Sequence, residues 1–324
     1  MSALRTVVQE NALKIAAAQI RPVWLNKRAT VAKVIETIKQ AAAEEVDLLA
    51  FPEAFVSGYP FWLCRTDAAS FGDPKQGDAY ARFLDASIEA DSDEVKQIVE
   101  AARDYRVSVF LGFNERGSGV ARGTLYCALL KIEAEQGVLG VHRKLMPTHD
   151  ERLCWAAGDA HGLRTHRISG VRVGGLCCWE NWMPMARFAL YCGGEELHIS
   201  LWPGNAVVAE GIVSATAREG RVWSLSVHGL LSMSDIPDDF PFKSELVAEG
   251  YDVIFNGGSS LVAPDGTVVI PPSPGVEGLI CYTIDVRTVY ENRQLFDVTG
   301  HYYRPDIFDL RIRGDRFDAA RLWR

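Results

Sequence analysis

Apolar and polar positions along the chain change period several times, and each change marks an element. The apolar run LKIAAAQI (13–20) is followed by a stretch from about Asn26 to Glu45 in which Val31, Val34, Ile35, Ile38 and Ala42 recur at helical spacing. DLLAFPE (47–53) is apolar again, so the reading is strand, helix, strand, with Asn26 as a helix N-cap. Asp91 or Ser92 caps a second apolar stripe of Val95, Ile98, Val99 and Ala102, which leads into the strand VSVFLGF (107–113).

The period then drops to two. TLYCALLKI (124–132) and VLGVHRKL (138–145) flank a polar turn at Gly137 and read as a hairpin; GLRTHRI and VRVGGLCC, joined by Ser169-Gly170, read as another. A helix over about 183–192, the strand LHISLW (197–202), a long helix over about 207–222 and the strand SLSVHGLL (224–231) restore the alternation. A hairpin turning on APDG (263–266), the strand EGLICYTID and a short helix complete the pattern. Strands that alternate with helices in places and pair as hairpins in others predict an α/β fold with mixed sheets. Residues 54–78 and 147–163 are expected to be long loops, which in compact folds often serve as lids or pocket walls. No repeat or linker divides the chain, so residues 1–324 are expected to form one domain.

Composition narrows the function. With 48% hydrophobic and 23% charged residues the chain can bury a large core. Thirty-four basic against 42 acidic residues give a net charge of −8 with no basic run, which disfavours a nucleic-acid partner. The N-terminal MSALRTVVQENALKIAAAQI is interrupted by Arg5, Gln9, Glu10 and Lys14, unlike a secretory segment. No stretch approaches the roughly 18 apolar residues of a membrane span. Seven cysteines, an odd and scattered set, are expected to be reduced thiols in the cytoplasm.

Three places carry candidate chemistry. Glu53 follows the apolar LLAF and Pro52, at the carboxyl end of a strand, where α/β sheets bind ligands and where partial burial would suit a general base; a solvated loop glutamate is the alternative. In HRKLMPTHDER, Lys144 ends a strand and Glu151 lies beyond the structure-breaking Pro147; the lysine is a fixed cation for developing negative charge or part of a solvated strand end. In GLCCWENW, Cys177 and Cys178 arrive at the end of an alternating strand as buried thiols, as a nucleophile or, less well for want of a spacer, as half of a zinc site. A carboxylate, a cation and a thiol at the ends of three strands of what reads as one sheet are the parts of a cysteine-nucleophile amide or nitrile hydrolase.

FPEAFVSGYP, HRKLMPTHDER and GGLCCWENWMP, in this order and spacing, resemble the base, lysine and nucleophile segments of the nitrilase superfamily of carbon-nitrogen hydrolases. The resemblance covers nearly the whole chain. PTHDER, CWENWMP, SDIPDDFP, FNGGSSLVAPDG and GHYYRPD are similar to the nitrilase branch rather than to its amidase or carbamoylase relatives.

The resemblance implies a four-layer αββα sandwich, with Glu53 as base, Lys144 as cation, Cys178 as nucleophile and Glu151 as a second glutamate that positions the lysine. Cys178 would form a thioimidate and then a thioester, releasing ammonia and a carboxylic acid from an organic nitrile and water without metal or organic cofactor. A homodimer that assembles further is also implied. Only 18 residues follow Asp306, a short C-terminal extension that argues against long filaments, and LCWAAGD (153–159) departs from the family in pocket shape. Trp179, His149, Trp155, Phe61, Trp62 and His301 are candidate substrate-pocket residues from their positions in or beside the loops. Strand alternation sets Cys177 on the opposite face from the site, with Trp179 and Glu180 leading the chain away. An amidase or N-carbamoyl hydrolase using the same residues, and a catalytically silent assembly protein, are the rival readings.

Overall fold

The computed structural model describes residues 12–316. The first half runs β1 (Ala12–Gln19), α1 (Lys27–Ala43), β2 (Leu48–Ala50), α2 (Pro74–Ala86), α3 (Asp93–Tyr105), β3 (Ser108–Arg116), β4 (Leu125–Glu133) and β5 (Gly137–Arg143). The second runs β6 (His166–Ile168), β7 (Val171–Cys177), α4 (Pro184–Cys192), β8 (Leu197–Trp202), α5 (Ile212–Gly220), β9 (Trp223–His228), β10 (Leu230–Ser232), α6 (Lys243–Ala248), β11 (Val253–Asn256), β12 (Ser260–Val262), β13 (Val268–Ile270), β14 (Gly278–Asp285) and α7 (Arg287–Arg293).

Local signals account for the helix starts. The Asn26 side chain accepts from the Ala29 N–H at 3.1 Å and the Ser92 hydroxyl from the Val95 N–H at 3.4 Å; such caps contribute about 1 kcal/mol each. In α3, Asp93 and Glu94 sit in the first turn and Arg103 in the last, as the helix dipole favours.

The strands build two six-stranded mixed sheets on the same plan, with β14 of the second half joining the first sheet. Three central strands run parallel, β1-β2-β3 in the first and β7-β8-β9 in the second, and the outer strands are antiparallel. The orders are β14-β1-β2-β3-β4-β5 and β13-β12-β9-β8-β7-β6. Side-chain alternation then makes the layers. Leu13, Ile15 and Ala17 of β1 point into one core with Ile199 and Leu201 of β8 and Leu225 and Val227 of β9, between the sheets. Ala16 and Ala18 point the other way, onto Val31, Val34 and Ile38 of α1 and Ile98 and Ala102 of α3. On the far face of the second sheet, Leu176 packs on Ala186 and Leu190 of α4, and Trp202 and Val262 on Ile212, Val213 and Ala217 of α5. The order helix, sheet, sheet, helix is the expected αββα sandwich.

β1 has one unusual duty. Its near edge pairs with β2, and its other edge pairs with β14 along its whole length, Ala12 opposite Asp285 to Gln19 opposite Gly278. The buried Gln19 side chain extends this tie, donating to the Ser273 and Val276 carbonyls and accepting from the Gly258 and Ser259 N–H groups.

Four expectations change. The strands that lead to Glu53, Lys144 and Cys178 do not share one sheet: β2 and β5 lie in the first and β7 in the second, because the two sheets pack face to face and bring their carboxyl ends together. The loop expected over 54–78 ends early, because Asp73 caps α2 with Pro74 at its first position, and Ala79, Phe83 and Ala86 form its buried stripe. The long helix expected over 207–222 is a 3₁₀ turn at Ala206–Ala209 and α5, separated by Gly211 at φ 82°. The strand expected over 224–231 divides at Gly229, with β9 in the large sheet and β10 pairing with β11 instead.

Candidate active site

The carboxyl ends of β2, β5 and β7 converge, and each delivers one side chain. After β2 the chain turns through Phe51 and Pro52 to Glu53, whose N–H donates to the Trp202 carbonyl at 3.2 Å, tying the first sheet to the end of β8. The turn crosses β3 at Gly112, where a Cβ would lie 2.0 Å from the Pro52 carbonyl oxygen and 2.7 Å from the Glu53 Cα. Only glycine allows that approach.

Lys144 follows β5, its N–H bonded to the Cys127 carbonyl of β4 at 2.8 Å. Its Nζ donates to Glu53 Oε1 at 2.8 Å and to Glu151 Oε2 at 2.7 Å, and lies 5.6 Å from the centre of the Trp155 ring. Glu151, in the 3₁₀ turn His149–Leu153, also accepts from the Thr148 N–H at 2.6 Å and, through Oε1, from the Tyr59 hydroxyl at 2.7 Å. Glu53, Lys144 and Glu151 are all at least 96% buried, so removing one partner would strand a buried charge at a cost of about 3–5 kcal/mol.

Cys178 is the first residue after β7. It stands at φ 50°, a left-handed conformation costly for a side-chain-bearing residue, at the start of the 3₁₀ turn Cys178–Trp182. Its Sγ, a Glu53 oxygen and a Glu151 oxygen all lie within 4.8 Å of one another.

Glu180 does not lead the chain away, as expected, but folds back as a clamp. Oε2 accepts from the Cys177 N–H at 2.9 Å, Oε1 from the Leu145 N–H at 2.6 Å, and His142 Nε2 stands 3.0 Å from Oε1. One carboxylate thus ties the residue before the thiol to the residue after the lysine. Asn181 donates to the Cys178 carbonyl at 2.7 Å and is held by His198, which in turn meets Glu195 at 2.9 Å.

The charges follow from this packing. Burial pushes Glu53 up to about 7, with Lys144 opposing and Glu151 adding to the rise. Burial works against the charge on Lys144, but Glu53 and Glu151 outweigh it and hold the ammonium well above its ordinary range. Burial, and then the Glu53 charge, push the Cys178 thiol well above its ordinary value against the pull of Lys144. The resting site therefore holds a thiol, and the proton must leave as the sulfur attacks. Burial also opposes the charge on Glu180, yet His142 and the two N–H groups hold it below its usual value.

Cys177 is a strand residue, as expected, but it is not remote from the site. The two thiols pack on different faces, Cys177 in the core between the sheets and Cys178 with Trp202 and Ile212. The Cys177 Sγ, the Cys127 Sγ and a Glu53 oxygen lie within 4.8 Å of one another. This trio, and the trio of Glu53, Glu151 and Cys178, could offer donor atoms to a metal ion. The Lys144 ammonium already occupies Glu53, however, and would repel a dication beside it.

The pocket candidates separate. Trp155 is buried against the cluster, edge-on to Tyr59 at 5.6 Å, its Nε1 donating to Asn114. Phe61 and Trp62 are buried one step behind it, packed on Trp24. Trp179 is 51% exposed, the His149 side chain 85% exposed, and His301 stands exposed against Tyr302; the structure does not gather these three into the cluster. Tyr59, Cys127 and Glu180 were not singled out from sequence. Tyr59 and Glu180 lie inside the quoted motifs, whereas Cys127 stands in an ordinary apolar strand with no local signal.

A carbon-nitrogen hydrolase family model matches residues 14–294. The chain is 33% identical to "Nitrilase 2" of an unknown prokaryotic organism, over 94% of this chain and 93% of that one. It is also 33% identical to an aliphatic nitrilase of Sinorhizobium fredii (strain HH103), over 92% and 95%. A crystal structure of a carbon-nitrogen hydrolase from Helicobacter pylori G27 superposes with a TM-score of 0.69 at 17% identity, covering 91% and 97%, a likeness of fold. With the Glu53, Lys144, Glu151 and Cys178 cluster at its centre, the chain belongs to the carbon-nitrogen hydrolase family, in its nitrilase branch.

Proposed function

We propose that the protein hydrolyses an organic nitrile to the carboxylic acid and ammonia through a covalent intermediate on Cys178. The observation that carries this is the state of Glu53. Oε1 is held by Lys144, while Oε2 is buried with no hydrogen-bond partner among the described residues, and the thiol lies within reach of the carboxylate. An unpartnered buried carboxylate oxygen with a raised pKa is a proton acceptor waiting for a proton.

In the first step the Cys178 sulfur bonds to the nitrile carbon, and its proton passes by way of Glu53 to the nitrile nitrogen, giving a thioimidate. Water then adds at the same carbon, one of its protons passing by way of Glu53 to the nitrogen; the hydroxyl of the resulting tetrahedral intermediate gives up its proton to the nitrogen by the same route as the C–N bond breaks and ammonia leaves. A thioester remains, and a second water releases the acid and restores the thiol. Lys144 supplies fixed positive charge to the nitrogen-centred and later the oxygen-centred anion, and Glu151 with Tyr59 holds the lysine. In this reading the chain works in the cytoplasm as a homodimer that can assemble further. Exposed Met185, Tyr302 and Phe308 supply an apolar surface for such contacts, and among the described residues no helix is long and apolar enough to cross a membrane.

The test is a panel of aliphatic, aromatic and arylacetonitriles with their matching amides, read by ammonia release and by the mass of the Cys178 peptide. Turnover of nitriles with Cys178 acylated is the expected result. Amides consumed while every nitrile is inert would move the assignment to an amidase or N-carbamoyl hydrolase, and no acylation by either class would make the chain a silent assembly protein.

A further inference from the structure

Glu53 can serve as a base only if its carboxylate is held with one oxygen free, and Lys144 alone does not ensure this. A lysine ammonium is a rotationally permissive donor, and a carboxylate held at one oxygen by one such contact can still turn about its last torsion. A second contact is present. The Cys127 thiol, from β4, donates to the same Oε1 at 3.2 Å, fully buried. Cys177, from the end of β7, lies against Cys127 from the other sheet, and the two sulfurs and the Glu53 oxygen fall within 4.8 Å of one another. Among the described residues, Oε1 thus accepts from two directions and Oε2 from none.

We propose that Cys127 is a positioning residue for the reaction: its S–H, backed by Cys177, pins Glu53 Oε1 beside Lys144 and reserves Oε2 for proton transfer. The proposal rests on the reading of Glu53 as the base. It gives the three buried cysteines of this region three different duties, with Cys178 as nucleophile, Cys127 as hydrogen-bond donor and Cys177 as the packing partner that keeps the donor in line. Burial pushes the Cys127 thiol well above its ordinary value, so it remains a protonated donor throughout the working range. The charged and titratable groups facing Glu53 are Lys144 after β5, Glu151 in the following turn, Tyr59 after β2, Cys127 on β4, and Cys177 and Cys178 at the end of β7. Of these, Cys127 and Lys144 donate hydrogen bonds to the carboxylate.

The sign of the effect is fixed. A donor to a carboxylate stabilises the anion, so losing it raises the proton affinity of Glu53. The readout is the rate of Cys178 alkylation by iodoacetamide against pH, followed on the Cys178 peptide by mass spectrometry. It needs no substrate, and so stands or falls separately from the nitrile panel. In the wild-type protein this rate is expected to rise as Glu53 ionises, at about 7. In Cys127→Ala the rise is expected to move to higher pH by about one unit; in Cys127→Ser, which keeps a donor, it stays at the wild-type position or slightly below. A Cys127→Ala profile that coincides with wild type, or Ala and Ser profiles that move together, overturns the proposal and leaves Cys127 a packing residue.

Should Cys127→Ala fail to fold, the wild-type protein decides. Its Cys127 S–H infrared band, identified by difference from Cys127→Ser, is expected at lower frequency than a free thiol and to move as Glu53 titrates. A band that ignores pH across about 5 to 9 overturns the assignment.

Discussion

The two sheets share one plan, yet their carboxyl ends supply opposite kinds of chemistry. The first sheet contributes charge. Glu53, Lys144 and Glu151 contact one another side chain to side chain, with Tyr59 and Cys127 completing their bonds. The second sheet contributes a neutral thiol, and its bonds run to the backbone instead: Glu180 to the Cys177 N–H and Asn181 to the Cys178 carbonyl. A charge can be placed through its own hydrogen bonds, because it makes strong ones. A thiol makes weak ones, so a nucleophilic sulfur has to be aimed by fixing the chain that carries it.

The largest effect comes from deleting the second sheet's contribution. Cys178→Ala should lower ammonia release by more than about a thousandfold while leaving the thermal unfolding temperature close to wild type, since no polar partner is stranded. Residual turnover near the wild-type rate would remove the sulfur from the mechanism.

Cutting the link between the sheets comes next. In Glu180→Gln the amide NH₂ must face either the Cys177 or the Leu145 N–H, so one clamp contact becomes a repulsion. A loss of about tenfold to a hundredfold in kcat is expected, with destabilisation of about 2–4 kcal/mol measured by urea unfolding. Unchanged kcat in a destabilised variant would reduce the clamp to a folding element. The smallest effect comes from trimming the first sheet's cluster: Tyr59→Phe removes one donor from Glu151 and should cost about 1 kcal/mol, roughly fivefold in kcat/KM. A larger loss than that from Glu180→Gln would reverse the ranking of the two ends.

The same contrast explains what could be read from the sequence. Period-2 and helical stripes marked β1, α1, β2, α3 and the hairpins, because burial on one or both faces repeats along an element. The three motifs pointed to Glu53, Lys144 and Cys178, because each sits where a strand runs out, whereas Glu151, in a turn beyond β5, was reached through the family resemblance. Less legible were features that depend on a single backbone residue or on neighbours distant in sequence. Gly211 divides the helix expected over 207–222, and Gly229 sends β10 to a different sheet. Glu180 looked like a residue leaving the site because a 3₁₀ turn, unlike a strand or an α-helix, writes no periodicity long enough to read. Cys127 could not be found at all from local sequence, since its partner Glu53 is 74 residues away.

The double pairing of β1 also bears on the order in which the molecule can be made. Of the described strands β1 is made first, apolar over nearly its whole length, and β2 follows soon enough to cover one edge. Its other edge belongs to β14, the last of the described strands to be made. Until then β1 is an open edge strand, the feature that most readily recruits a stray partner. Closure of the first sheet therefore waits on the last strand of the second half, and a chain stopped before Gly278 would leave the outer edge of β1 open.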